Sequence, residues 1–185
     1  MKLSFSTLGC PDFTWQDILA LAKDFGFHGI EMRGLGDNIF AVNSPFKKEN
    51  LAKTKEQLKK LRLEICCLSS GCALRYGERR DENIAELRRY IETAEALGTP
   101  YIRVLGDLTA EPTDDFDDEI VIDQLRKLAP YAEAAGVMLL VETNGVYSDT
   151  ARLSDVLARV ASDSVAALWD FNHPYRFAGE TPEKT

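Results

Sequence analysis

The sequence predicts an α/β protein, a parallel (β/α) barrel that is incomplete, with about six of eight βα units present. Three observations predict it. Strand-like apolar runs begin near Leu3, His28, Leu63, Pro100, Val137 and Val165 and alternate with amphipathic stretches. That alternation is the signature of parallel strands joined by right-handed crossovers. Charged residues close four of the runs: Glu31, Arg103, Glu142 and Asp170. A barrel converges residues from many strands on one face, whereas an open doubly wound sheet gathers them at one switch point. The first strand-to-helix turn, Thr7-Leu8-Gly9-Cys10-Pro11-Asp12, also lacks the glycine-rich pattern of a nucleotide-binding doubly wound sheet.

The elements come in order. The first helix is expected from Thr14, with Asp17 three residues later, close to a capping box. Its Ile18, Leu21, Ala22 and Phe25 recur at helical spacing. A second helix carries Leu51, Leu58 and Leu61 among lysines. A third carries Ile84, Leu87, Ile91, Ala94 and Leu97, with Asp81 as its N-cap. The stretch 107–119 holds seven carboxylates. It reads as a solvated loop whose Asp-rich end caps a fourth helix bearing Leu125, Leu128, Ala132 and Ala135. A short fifth helix is expected over 154–161. A weak repeat runs through the chain: Phe25-Gly26 before the second strand, Leu97-Gly98 before the fourth and Ala135-Gly136 before the fifth. Each glycine suits the left-handed turn that stops a helix.

Strand starts are spaced about 32 residues apart, so eight units would need roughly 260 residues, close to the usual TIM-barrel size. The 185 residues hold fewer than six such units. Residues 1–185 are therefore expected to be one barrel domain, C-terminally truncated, with the stretch after His173 starting a sixth βα connection. Strands one and six would keep free edges, so either the chain is a fragment or a homo-oligomeric partner covers them.

Composition narrows the function. A net charge of −8 opposes a nucleic-acid partner, which needs a basic surface. The apolar runs are too short for a transmembrane helix, and the N-terminus lacks a signal-peptide core. A cytoplasmic protein acting on small molecules fits these features. The four cysteines form no Cys-x-x-Cys pair and read as ordinary thiols in a reducing compartment.

The candidate chemistry lies at the strand ends. Glu142 closes Val137-Met138-Leu139-Leu140-Val141, and Asp170 closes Val165-Ala166-Ala167-Leu168-Trp169. Two such carboxylates on successive strands could share a divalent metal, and His173 lies three residues beyond the second. Two hard oxygens suit Mg²⁺ or Mn²⁺, and an imidazole also suits Zn²⁺ or Co²⁺. Glu142 could equally be half of an ion pair, with Arg103 as the available partner. For Trp15, Phe5 and Trp169 core packing is the plainer reading.

The motifs Gly29-Ile30-Glu31, Ile102-Arg103-Val104, Leu140-Val141-Glu142-Thr143 and Trp169-Asp170-x-x-His173 occur in this order along the whole chain. In them the chain resembles the sugar phosphate isomerase/epimerase group of xylose isomerase-like barrels. The resemblance implies one divalent metal (Mn, Mg, Co or Zn) held by a Glu after strand five, an Asp after strand six, a His after strand seven and a Glu after strand eight. Glu142 and Asp170 match the first two, and the last two have no counterpart here. His173 matches a histidine that contacts substrate, and Asn144 stands where members often carry a His. The implied activity is isomerisation or epimerisation of a small sugar or sugar phosphate through an enediolate. Glu142 would be ligand and acid/base, and Glu31, Arg103 and His173 would be substrate contacts. Arg33 and Arg103 could meet a phosphate. The alternatives are an inositol-type ketone dehydratase of the same superfamily, or a non-catalytic remnant serving as a binding or oligomeric module. An apurinic endonuclease would need many histidines, and the chain has two.

Overall fold

Every expected strand forms within one residue of its expected start. In the computed structural model, which describes residues 1–35, 39–41, 44–112 and 115–185, they are β1 (Ser4–Ser6), β2 (Gly29–Met32), β3 (Glu64–Ala73), β4 (Tyr101–Leu105), β5 (Met138–Glu142) and β6 (Val165–Leu168). They make one parallel sheet in the order β1-β2-β3-β4-β5-β6. A strictly sequential order is the barrel order; a doubly wound sheet would reverse direction partway. The sheet is open, and among the described residues β1 and β6 each pair on one side only.

The strands are read by their alternation. Ile102, Val104, Leu139 and Val141 join the apolar core beneath the helices. The intervening positions face the concave side, where Arg103 sits opposite Leu140 and Glu142 opposite Leu168. Ser4, Ser6, Glu31, Cys67, Tyr101, Leu140 and Leu168 line a cavity of about 260 Å³ there.

Among the described residues, six α-helices connect and extend the strands: α1 (Trp15–Asp24), α2 (Leu51–Leu61), α3 (Arg80–Leu97), α4 (Asp118–Ala134), α5 (Thr150–Val160) and α6 (Asn172–Phe177). The capping box at Thr14 is formed: the Thr14 hydroxyl accepts from the Asp17 N–H, and the Asp17 carboxylate accepts from the Thr14 N–H. Gly26, Gly98 and Gly136 take φ values of 69°, 76° and 64° at the three expected helix stops. Asp117 caps α4 through the Glu119 N–H. Thr113 and Asp114, within the acidic stretch, lie outside the described residues.

Three expectations about helices are corrected. Phe25 is 77% exposed, because α1 stops at Asp24 and Phe25 is its C-terminal cap. Asp81 does not cap α3. A single 3-10 turn (Gly77–Arg79) runs straight into that helix, and Asp81 falls inside its first turn, where a negative charge still favours the helix dipole. Helix α5 begins at Thr150, four residues earlier than its apolar spacing suggests, because Asp149 accepts from the N–H groups of Ala151 and Arg152. Asp149→Ala should therefore cost about 1 kcal/mol, with Asp149→Asn recovering most of it. Chemical denaturation of the two variants checks this.

Of the aromatic candidates, Trp15 is core: its ring meets Phe46 edge-on and its indole N–H donates to Gln57. Phe5 packs on Phe27. Trp169 is 51% exposed beside Leu153 and Leu157 of α5. All four cysteines are free, and burial pushes the thiols of Cys67 and Cys72 up to about 12, which makes them inert. No helix among the described residues is long and apolar enough to cross a membrane.

Candidate metal centre

Burial of Leu139 and Val141 under the helices fixes the pleat of β5 and so projects Glu142 to the concave side at the strand's C-terminal end. The next residue ties this strand end to its neighbour. The Thr143 hydroxyl accepts from the Asp170 N–H at 2.8 Å and donates to the Asp170 carbonyl at 3.2 Å. Asp170 in turn organises the start of α6: its Oδ1 accepts from the N–H groups of Asn172 (2.8 Å) and His173 (3.2 Å). Oδ2 is left directed elsewhere, 3.9 Å from His173 Nδ1.

Glu142, Asp170 and His173 thus each offer a ligand atom within 4.8 Å of the others. All three are partly buried. Arg103 Nε lies 3.3 Å from Glu142 Oε2 in a pair almost closed to solvent. Burial raises the Glu142 carboxyl above its ordinary range, while the charges of Arg103 and His173 pull it back down. Glu31 and Asp170 push it further up. Glu31 lines the cavity and accepts a short hydrogen bond from the Ser69 hydroxyl. The five residues singled out in the sequence therefore stand in two groups. Glu142, Asp170, His173 and Arg103 form one cluster, and Glu31 lies within its electrostatic reach on β2.

The donor set fits a divalent ion. Two carboxylates and one imidazole suit Mn²⁺, Co²⁺ or Zn²⁺, and the carboxylates alone suit Mg²⁺. His173 Nδ1 is buried without a hydrogen-bond partner, a demand that a cation would meet. Two donors each about 2.1 Å from one ion can be at most about 4.2 Å apart. The Asp170–His173 pair already satisfies that limit, and the three-way cluster needs side-chain movement of less than about 1 Å to meet it.

Behind the cluster stands a lock that sequence reasoning missed. The Asp107 carboxylate, fully buried just past β4, accepts from Arg75 Nη1 at 2.7 Å and from the N–H groups of Leu108 and Val146 at 2.8 and 3.2 Å. The Asn144 amide donates to the carbonyls of Asp107 and Thr109, so this residue braces the loop after Glu142. Gly145 has φ of +56°, and a Cβ there would lie 2.3 Å from Asp107. The signal for Asp107 was available, since Leu105-Gly106-Asp107 places a carboxylate just past a strand, as with Asp170. Thr143 and Ser69 gave none, because a hydroxyl's partner is set by tertiary contact.

A sequence model of the xylose isomerase-like TIM barrel family matches residues 19–184. The chain belongs to this family. No individual curated protein sequence matches it. Solved structures superpose closely. The IolI protein, with a bound zinc atom, is 21% identical with a TM-score of 0.75, over 94% of this chain and 64% of that one. The 3-keto-D-glucoside 4-epimerase YcjR from E. coli, in its apo form, is 19% identical with a TM-score of 0.75, over 95% and 70%. A family protein from Mycobacterium smegmatis, in complex with magnesium, is 16% identical with a TM-score of 0.74, over 98% and 68%. The chain thus spans 64% of the length of IolI. At these identities the likeness is one of fold.

Proposed function

We propose that the chain carries a site for one divalent metal, held by Glu142 and Asp170, and that the site isomerises or epimerises a small sugar or sugar phosphate through an enediolate. The observation that carries this reading is the convergence of two strand-end carboxylates at one mouth of a xylose isomerase-like barrel. A bound divalent ion would polarise a substrate carbonyl and stabilise the negative charge that develops on its oxygen.

The residues of the chain supply the rest. Glu142 takes the proton from the carbon next to the carbonyl. Arg103 holds Oε2 of Glu142 and so limits its rotation. Glu31 and His173 present polar groups to the hydroxyls of the substrate, and Arg103 is a cation beside the reacting centre. A second acid returns the proton; in the family resemblance this is a Glu after an eighth strand. The open edges of β1 and β6 are where two further βα units or a second copy of the chain would pair. The acidic balance of the chain suits a small carbohydrate rather than nucleic acid.

Calorimetric titration with Mn²⁺ tests the site. Micromolar binding that disappears in Asp170→Asn, with the circular dichroism spectrum unchanged, is the expected result. An unaltered isotherm in that variant, or no binding to the wild-type chain, rules the reading out.

A further inference from the structure

We propose that the end of the sheet opposite the metal centre binds a small amphipathic carboxylate, an acid carried on an apolar chain. The site is a cavity of about 600 Å³ between α2, the end of α3 and the first residues of β3 and β4. Ligand pockets run from roughly 300 to 1,000 Å³ and combine an apolar lining with a few polar groups. Here Leu58, Leu63, Ile65 and Leu97 supply the apolar lining, and Tyr101, 42% exposed, adds its ring. None of the lining residues comes from β1 or β6, so the cavity does not depend on the open edges of the sheet. Barrel chemistry sits at the C-terminal ends of the strands, where Glu142 and Asp170 stand, whereas this cavity lies at the N-terminal ends. The proposal therefore stands apart from the metal site.

Charge selects the occupant. Lys55 and Lys59 lie one turn apart on α2, and both line the cavity. The Lys55 ammonium donates to the Ala96 carbonyl at 2.9 Å, which ties it to the last turn of α3 and leaves two of its three N–H donors. Lys59 makes no ion pair among the described residues. Two carboxylates also line the cavity, but each has its cation: Glu56 pairs with Lys60 and Glu64 with Lys2, both at 2.9 Å. The charge left over is positive. Residues 47–62 hold seven basic and two acidic residues in a chain whose net charge is −8, so this end draws an anion that the rest of the chain repels. A bare anion would leave the apolar lining wet, and a neutral hydrocarbon would leave the ammonium donors unused. A carboxylate on an apolar chain meets both, with its chain against Leu58 and Leu97 and its head on Lys55 and Lys59.

Calorimetric titration of the whole chain with sodium decanoate, kept below micelle-forming concentration, tests the site. One saturable site for decanoate is expected, with no binding of acetate, which lacks the chain, or of decyltrimethylammonium, which lacks the anion. Two double variants with the same change in net charge then locate it. Lys55→Gln with Lys59→Gln should weaken decanoate at least tenfold, while Lys47→Gln with Lys48→Gln, on the same basic stretch but outside the cavity, should leave it unchanged. Glutamine is a good helix former and both lysines of α2 are exposed, so the circular dichroism spectrum should not move. Absence of a saturable decanoate site would overturn the proposal. So would equal losses in the two double variants, which would mark a general attraction to the basic stretch, or equal uptake of decyltrimethylammonium, which would mark an apolar groove blind to charge.

Discussion

Glu142→Gln will abolish proton exchange at the carbon beside a ketose carbonyl while the protein stays folded. Glutamine keeps the shape and an oxygen that Arg103 can face, but it can neither accept a proton nor supply charge to a cation. Loss of a general base alone costs typically about 10²- to 10⁴-fold in rate. Loss of a ligand should weaken metal by more than the roughly 10- to 100-fold seen when outer partners of a ligand are removed. Only part of the stability should be lost: the buried Arg103 loses its charged partner, but a glutamine oxygen still faces it, and burial already raises the Glu142 carboxyl above its ordinary value. For a carboxyl raised in this way, the stabilising contribution is present at low pH and is lost as pH rises through its folded-state value. A neutral amide removes that liability. Deuterium incorporation from D₂O into a panel of ketoses, monitored by NMR with metal-loaded protein, reads the effect. An unchanged rate on a sugar that the wild type processes would contradict the role assigned to Glu142.

Asp107→Ala will cause the largest loss of stability. It removes the Asp107 carboxylate from the Arg75 guanidinium, whose side chain is 12% exposed. It also strips the acceptor from two N–H groups, those of Leu108 and Val146. Breaking a buried pair by removing one partner costs about 3–5 kcal/mol. For a chain of this size each kcal/mol lowers Tm by about 2–4 °C, so a drop of roughly 6–20 °C is expected. The loop freed by the change comes directly after Glu142, so metal affinity should fall as well. Asp107→Asn retains one acceptor and should lose less. Differential scanning calorimetry of both variants checks the order, and melting temperatures equal to that of the wild type would contradict the stabilising role of Asp107.

The strand starts were legible because apolar runs of four to six residues between amphipathic stretches have few other readings. The strand-end carboxylates were legible for the same reason, since a charge that closes a buried run can only project from the sheet's rim. Helix boundaries were less so. The apolar spacing of α5 begins inside the helix, whereas its true start is set by the Asp149 side chain. The run of 3-10 turn into α3 displaced Asp81 by the same kind of local hydrogen bonding. The remainder was tertiary. The Thr143–Asp170 hydrogen bonds span 27 residues and Arg75–Asp107 spans 32, so nothing in either neighbourhood announces the partner. Arg103 and Glu142 are intermediate: once β4 and β5 are known to pair, their register brings the two within reach.

The most direct measurement is a crystal grown with Mn²⁺ and read at the manganese absorption edge. An anomalous peak between the carboxylates of Glu142 and Asp170, about 2.0–2.2 Å from an oxygen of each, is the expected result. A peak elsewhere, or carboxylates that stay apart with no ion between them in protein saturated with metal, would contradict the shared-cation site.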